Sequence, residues 1–448
     1  MRIVIAGAGA VGTHLAKMLS AEKQDIVLMD DEQERIAPLE SSFDLMTLCA
    51  SPTSVIGLEE AGVASADLFI AVTTNESRNM TACMLAANLG AKKTVARIDN
   101  YEYLRPRNSE FFARVGIHSF IYPEMLAAQE IISSIRMSWI RWWWEFSSGA
   151  LILMGVKIRA GAEILNKPLY EIGPSAPFHL VAIVRKGETV IPHGNDQVME
   201  DDIVYFTTTR KHVPLIRQIT GKEEYSDVRT VIIMGGGRIA TRTALLAPDH
   251  LKIKIIEADA ARCQQIADTV GNKAVVIRGD ARDMDLLQRE GINRTDAFVA
   301  LSNNAEMNIL ACSAVKQFGV QKTVAEVENI DYISLAEGLD IGTVINKKII
   351  AAGHIYQQML DSDVNNVKSL TFSNADVAEF TVHKRTPITR KPVKDLALPS
   401  GATIGGVVRD GKGMMVSGDT MIEAGDHVLM FCLGNSMMIR KVERFFKP

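Results

Sequence analysis

The sequence predicts a duplicated α/β protein, with two doubly wound parallel sheets each followed by a small α+β domain. Three observations carry that prediction. The chain has 448 residues, more than one ordinary domain and enough for three or four. Residues 69–98 read FIAVTTNESRNMTACMLAANLGAKKTVARI and residues 298–327 read FVALSNNAEMNILACSAVKQFGVQKTVAEV, an internal repeat at an offset of 229 residues (298 − 69). Short apolar runs alternate with amphipathic stretches, the signature of a parallel sheet covered on both faces.

Within the first large unit the expected strands are Arg2–Ala6, Ile26–Asp30, Leu45–Cys49, Leu68–Val72, Thr94–Ile98 and His118–Ile121, with helices over Val11–Ser20 and Glu76–Leu89. A further helix is expected from Pro123 to Met137. The repeat then continues into smaller units, where Ala182-Ile183-Val184-Arg185 aligns with Gly406-Val407-Val408-Arg409 at an offset of 224 (406 − 182). Those units read as short strands (Val181–Arg185, Thr189–Ile191, Asp202–Thr207) followed by a helix. The expected boundaries are 1–123 and 228–346 for the parallel-sheet domains, and 146–227 and 368–448 for the small ones. A linking helix with a Trp-rich segment takes 124–145, and a linking helix takes 347–367.

Composition narrows the function. Hydrophobic residues make up 47% and charged ones 23%, too apolar for disorder. Lys and Arg number 49 against 53 Asp and Glu, a net charge of −4 that argues against nucleic acid as a partner. The five cysteines are scattered, which supports neither a disulfide framework nor a zinc site, and no metal is expected. No uncharged apolar stretch approaches the roughly 18 residues of a membrane span, and Met1 enters a strand at once, so neither a span nor a signal peptide is expected. A cytoplasmic or peripheral protein is the expectation.

The first strand runs into Gly7-Ala8-Gly9-Ala10-Val11-Gly12, a GxGxxG loop with a helix behind it. The first glycine permits a tight turn, the second lets the backbone approach a pyrophosphate closely, and the third allows helix–strand packing. The helix start offers free amides and partial positive charge to phosphates. Asp30 ends the second strand 23 residues after Gly7 (30 − 7), where a carboxylate accepts hydrogen bonds from ribose hydroxyls. With Asp31 beside it, a 2′-phosphate would meet two negative charges, so NAD(H) is favoured over NADP(H). Thr73, Thr74 and Asn75 follow the fourth strand, either lining the nucleotide or capping the next helix. Arg97, on the fifth strand, is either a phosphate contact or half of a salt bridge.

The second copy reads Gly235-Gly236-Gly237-Arg238-Ile239-Ala240, with Glu257 in the place of Asp30. It keeps the two glycines that face a pyrophosphate. Glu326 replaces Arg97, with Arg238, Arg278 and Arg282 as candidate compensations, so the second site is expected to be weaker or to select a different nucleotide. No P-loop lysine, GxSxG elbow or HExxH motif occurs, the nine histidines are dispersed, and His193 reads as a turn residue, so no catalytic residue is expected. The four tryptophans all lie in Trp139-Ile140-Arg141-Trp142-Trp143-Trp144, either packing between domains or forming an exposed contact for a partner or membrane interface.

The GAGAVG loop with Asp30, the paired segments beginning FIAVTTNESRNM and FVALSNNAEMNI, the VARI strand and the closing GATIGGVVRDG…IEAGDHVLMF resemble the Trk-type potassium-uptake regulatory family, built from two tandem RCK (regulator of K⁺ conductance) units. The resemblance covers essentially the whole chain. It implies Rossmann-like domains that bind NAD(H) at the first site and NAD(H) or ATP/ADP at the second. It also implies a cytoplasmic protein, peripheral on the inner face of the plasma membrane, whose partner is a Trk-type membrane K⁺ channel or transporter. A homo-oligomer, dimer or tetramer, follows from the same resemblance. Its nucleotide contacts would be Gly7 to Val11, Asp30, Thr73, Thr74 and Arg97, then Gly235 to Ile239 and Glu257. The Gly-Asp pair that the family often carries after the third strand survives as Gly279-Asp280 but is Ala50-Ser51 in the first copy. An NAD-dependent oxidoreductase and a sensor for a soluble partner are the competing readings.

Overall fold

A computed structural model describes the chain apart from residues 21–23, 41–44, 173–175, 360–363, 371–374, 435 and 448. It forms two compact units, Met1–Leu126 with Lys347–Leu360, and Ala127–Asn346 with Asp361–Pro448.

The first unit holds a six-stranded sheet of β1 (Arg2–Ala6), β2 (Asp25–Asp30), β3 (Met46–Cys49), β4 (Leu68–Ala71), β5 (Lys93–Arg97) and β6 (Ser119–Ile121). The order is β3-β2-β1-β4-β5-β6 and every pairing is parallel. This is the doubly wound order in which the chain reverses direction between β1 and β4, leaving a crevice at the carboxyl ends of the strands. Val4, Ala6, Val27, Met29, Phe69 and Ala71 form the core with Ala82, Cys83 and Ala86 of the helix Glu76–Leu89. That helix starts where Asn75 accepts a hydrogen bond from the Arg78 amide, and stops at Gly90, whose φ of 120° suits no side chain well. Burial pushes the Cys83 thiol up, and its Sγ donates to the Val95 carbonyl at 3.4 Å, so this cysteine fills core space.

The unit is closed by a helix from the other end of the sequence. Lys347–Met359 packs on Ala10–Ser20, with Ala351, Ala352, Ile355 and Tyr356 buried. Between them His14 is held below its usual pKa, first by burial and then by the charge of Lys348. Of the expected linking helix 347–367, residues 360–363 lie outside the described residues. Residues 364–367 are not helical but open the strand Val364–Leu370, which pairs antiparallel with Ala375–Thr381 and so starts the second small domain before 368.

The second unit repeats the parallel sheet with β12 (Thr230–Met234), β13 (Lys252–Glu257), β14 (Ala274–Arg278), β15 (Ala297–Ala300), β16 (Lys322–Glu326) and β17 (Thr343–Ile345), in the order β14-β13-β12-β15-β16-β17. It also holds both small domains. One sheet is β7 (Trp142–Phe146), β8 (Leu151–Lys157), β9 (Phe178–Arg185), β10 (Glu188–Val190) and β11 (Ile203–Thr208), ordered β10-β9-β11-β8-β7. The other is β18 (Val364–Leu370), β19 (Ala375–Thr381), β20 (Ala402–Arg409), β21 (Lys412–Met414) and β22 (His427–Leu433), ordered β18-β19-β22-β20-β21. Read through the repeat, the two orders are the same. Each small domain also keeps one ion pair: Arg185 on the buried Asp202 at 2.7 Å, and Arg409 on the buried Asp426 at 2.8 Å. His193 sits in a turn, its amide donating to Asp196.

The Trp-rich segment corrects one boundary. Trp142–Phe146 is not a link but an edge strand, antiparallel to β8, so the small sheet begins four residues before 146 (146 − 142). The reason is period-two side-chain direction: Trp142 and Trp144 stack on one face with ring centroids 5.6 Å apart, while Trp143 faces the other way into a core with Trp139 and Ile140. All four tryptophans are buried, which favours packing over an exposed contact.

The first small domain meets the second parallel-sheet domain through charge. Asp340, held at a left-handed φ of 51°, accepts from Arg141 and Arg159, with Lys316 at 3.5 Å and Lys157 at 3.8 Å. Burial works against its ionisation, but Arg141, Lys316 and Arg159 hold its pKa at about 2. Nearby, burial pushes Glu337 up to about 7 and Lys222 down to about 8. Lys322, fully enclosed, donates to the Ile140 carbonyl and to Thr343.

Candidate nucleotide-binding clefts

The first cleft is shaped by what its glycines leave room for. Gly7 has a φ of 113°, and a Cβ there would lie 2.9 Å from the Thr73 amide. A Cβ on Gly12 would come within 1.9 Å of the Gly7 carbonyl. Gly9 differs from both, since a Cβ there would meet nothing within 4 Å. Gly9 therefore faces open space at the carboxyl end of β1, beside the exposed Ala10 and the start of the helix Ala10–Ser20.

Asp30 ties β2 to that loop. Its Oδ2 accepts from the Ala8 amide at 2.6 Å and its Oδ1 from the Glu32 amide at 3.0 Å, while Arg35 stands 3.8 Å away. The second copy reproduces the arrangement with a longer side chain: Glu257 accepts from the Gly236 amide at 2.8 Å and from the Asp259 amide at 2.9 Å. Gly235 has a φ of 94°, and Gly237 again has no neighbour within 4 Å of a Cβ. No side chain caps the helix Arg238–Leu246, whose first turn carries Arg238 and the buried Ile239.

On the other wall of the first cleft, Thr73 and Asn79 make a closed set of bonds. The Asn79 Oδ1 accepts from the Thr73 amide and hydroxyl at 2.9 and 2.6 Å, and its Nδ2 donates to the Thr73 and Arg97 carbonyls. Asn308 does the same with Ser302 and Glu326. This buried asparagine ties the loop after the fourth strand to the fifth strand in each copy. The repeat carried the signal for it, because Asn79 and Asn308 are among the identities at offset 229 (308 − 79).

The remaining expected residues fall as follows. Thr74 is exposed at the mouth, and Asn75 caps the following helix. Arg97 is an ion-pair residue in this structure, its Nη2 lying 3.1 Å from Glu124 and 4.0 Å from Asp99. Glu326 is buried, and Arg282 folds onto its neighbour Asp280 at 2.5 Å. The acidic run Asp30-Asp31-Glu32 is engaged throughout, Asp31 with Arg78 at 2.5 Å and Glu32 with Arg35 at 2.9 Å. Arg78, which joins Asp31 to Ser51 beside Asp30, is a residue that sequence reasoning missed, because one arginine in a helical stretch reads as solvated surface.

The second cleft is a cavity of about 400 Å³, lined by Gly235–Gly237, Glu257, Asp280, Arg282, Asn304 and Met307. That volume is within the range of small-molecule sites.

Two crevices of this kind, each pairing a glycine turn with an acidic β2-type terminus and each joined to a small antiparallel sheet, define a tandem-repeat protein of dinucleotide-type domains. The TrkA-N domain family matches residues 3–123 and 231–347, and the TrkA-C domain family matches 153–221 and 377–447. Similar proteins named Trk system potassium uptake protein TrkA occur in Halomonas elongata, 32% identical over 100% of this chain and 99% of the relative, and in Haemophilus influenzae, 31% identical over the same shares. The chain belongs to the TrkA family. The crystal structure of the GsuK RCK domain has the same fold, with a TM-score of 0.63 at 17% identity over 99% of this chain and 94% of that one. The GsuK channel bound to NAD gives 0.61 at 17% identity, over 99% and 78%.

Proposed function

We propose that this protein is the nucleotide-binding regulatory subunit of a Trk-type potassium-uptake system. It works in the cytoplasm at the inner face of the plasma membrane and controls a separate membrane-embedded K⁺ channel or transporter. The observation that carries this reading is the pair of open glycine positions, Gly9 and Gly237, each beside a helix start and a carboxylate that braces the loop, in a chain of the TrkA family. Among the described residues no helix is long and apolar enough to cross a membrane, so on this reading the conduction path belongs to another polypeptide.

In the first cleft NAD(H) lies with its pyrophosphate over Gly7 to Val11, its ribose toward Asp30, and Thr73, Thr74 and Arg97 along the rim. In the second, Gly235 to Ile239 and Glu257 hold NAD(H) or ATP/ADP. The nucleotide is a regulator and not a reactant on this reading, since the carboxylate repeated in each cleft, Asp30 and Glu257, is engaged by two backbone amides and braces the loop. A ligand shifts conformation only by binding two states unequally, and a homo-oligomer, dimer or tetramer, would present that shift symmetrically to a pore. The test is a deletion strain lacking other K⁺ uptake systems. Restoration of growth at low K⁺ by the wild type, and not by a chain with both loops filled (Gly9→Trp, Gly237→Trp), is expected. Equal restoration by both would remove nucleotide control from the reading.

A further inference from the structure

Two contacts of one guanidinium in the first cleft have no counterpart in the second. The Arg78 Nη2 donates to Asp31 Oδ2 at 2.5 Å and to Ser51 Oγ at 3.2 Å, joining the helix Glu76–Leu89 to the ends of β2 and β3. Through the repeat, Arg78 becomes Met307 (offset 229), Asp31 becomes Ala258 (offset 227) and Ser51 becomes Asp280 (offset 229). All three positions change together. Met307, Ala258 and Asp280 line the second cavity, so Arg78 occupies the matching wall of the first.

A guanidinium makes its hydrogen bonds in its own plane and stacks through its face. Asp31 and Ser51 hold Arg78 by the edge. We infer that Arg78 is a specificity-determining residue of the first cleft, stacking its guanidinium on the purine of the bound nucleotide. This rests on the nucleotide reading above. Met307 supplies an uncharged, apolar wall at the same place in the second cleft. The first cleft therefore selects a large, polarisable base, and the second selects less sharply.

The experiment uses the full chain carrying Gly237→Trp, so that only the first cleft takes ligand, titrated calorimetrically with NAD and with nicotinamide cytosine dinucleotide. Arg78→Ala is expected to weaken NAD by about 3- to 30-fold, the scale of a cation–π contact, and the cytosine analogue by less, so that the purine preference narrows. Arg78→Met, which copies the second cleft, should recover part of the NAD affinity, and Asp31→Asn, which frees the edge, should narrow the preference less than Arg78→Ala. An unchanged preference in Arg78→Ala, whether or not both ligands weaken, would overturn the inference, because damage to the fold or loss of a phosphate contact moves both ligands alike. Failure of the Gly237→Trp protein to bind NAD at all would instead defeat the nucleotide reading, and this inference with it.

Discussion

In the first cleft the carboxylate ending β2 is followed by a second acid, Asp31, which is tied to Arg78, while in the second Glu257 is followed by Ala258 and the facing helix offers Met307. Both copies keep the braced glycine loop and the buried asparagine, and they differ at the wall where a base would lie. The copies also differ where the Rossmann-like domains end. Gly116, with a φ of 87°, stands where Asp340 stands in the second copy, and Ala113 stands where Glu337 does. One repeat thus filled the left-handed position with a residue that tolerates it, and the other with a carboxylate that four cations hold in place. Both copies preserve the glycine loop and its carboxylate brace, and the residues around them diverge.

The sharpest way to break this comparison is to fill one loop at a time. Gly9→Trp should abolish binding at the first cleft, at least about 100-fold, and leave the fold intact, because the new side chain enters open space. Gly237→Trp should do the same at the second. Calorimetry on each full-length variant should lose one class of site, and loss of neither would mean that the loops do not bind.

Asp340→Ala comes next. It leaves Arg141 buried without its carboxylate and should cost about 3–5 kcal/mol by urea denaturation. Substitution of Gly116 by Asp tests the same position without the cations and should strain the first copy with no compensating gain. Equal midpoints for Asp340→Ala and wild type would show that the charge cluster does not hold the junction.

Asp30→Ala should weaken NADH at the first cleft about 10- to 100-fold, the loss of a charge-assisted contact of about 1.5–3 kcal/mol. It also leaves the Ala8 amide without its acceptor, so a lower melting temperature should accompany it. An unchanged NADH isotherm would remove Asp30 from the site.

The smallest effect is a pH dependence at the position where the second copy has Glu337 and the first has Ala113. Glu337 titrates near 7 in the folded chain because burial disfavours its charge, against an ordinary value of 4.5. The folded state therefore binds the extra proton between those values, and stability should fall as pH rises from about 4.5 to about 7. Asp340 acts in the opposite sense and only in acid: its stabilisation is lost as pH falls from about 3.8 toward 2. Glu337→Gln should flatten the upper slope by about 1–3 kcal/mol across that window, read as denaturation midpoints from pH 4.5 to 7.5.

The sequence made the parallel sheets legible because their strands are short apolar runs between periodic helices, and the glycine loop gives the first strand its end. Glu76–Leu89 is bounded as its cap residues indicate, and β1 runs from Arg2 to Ala6 as expected. The Trp-rich strand was hidden because three consecutive tryptophans look uniformly apolar, and polar–apolar alternation appears only when one face of a sheet is solvated, whereas both faces are covered here. Arg78 and Asp340 were hidden for another reason. Each acts through partners far away in sequence, Arg78 on Asp31 and Asp340 on Arg141, and no local pattern records such a pairing.

The helix Lys347–Met359 has a consequence for the order of synthesis. It completes the unit that contains Met1–Leu126, yet the ribosome reaches it 221 residues later (347 − 126). At about 5–20 residues per second that is a delay of roughly 10–45 s. During it the nascent first domain carries the face of Ala10–Ser20 uncovered, and it closes only when the second parallel sheet has already been made. A fragment ending at Asp227 is arrested at that same stage. Amide exchange along Ala10–Ser20 should therefore be fast in the fragment and slow in the whole chain, and equal protection in both would show that the late helix is not needed to close the domain.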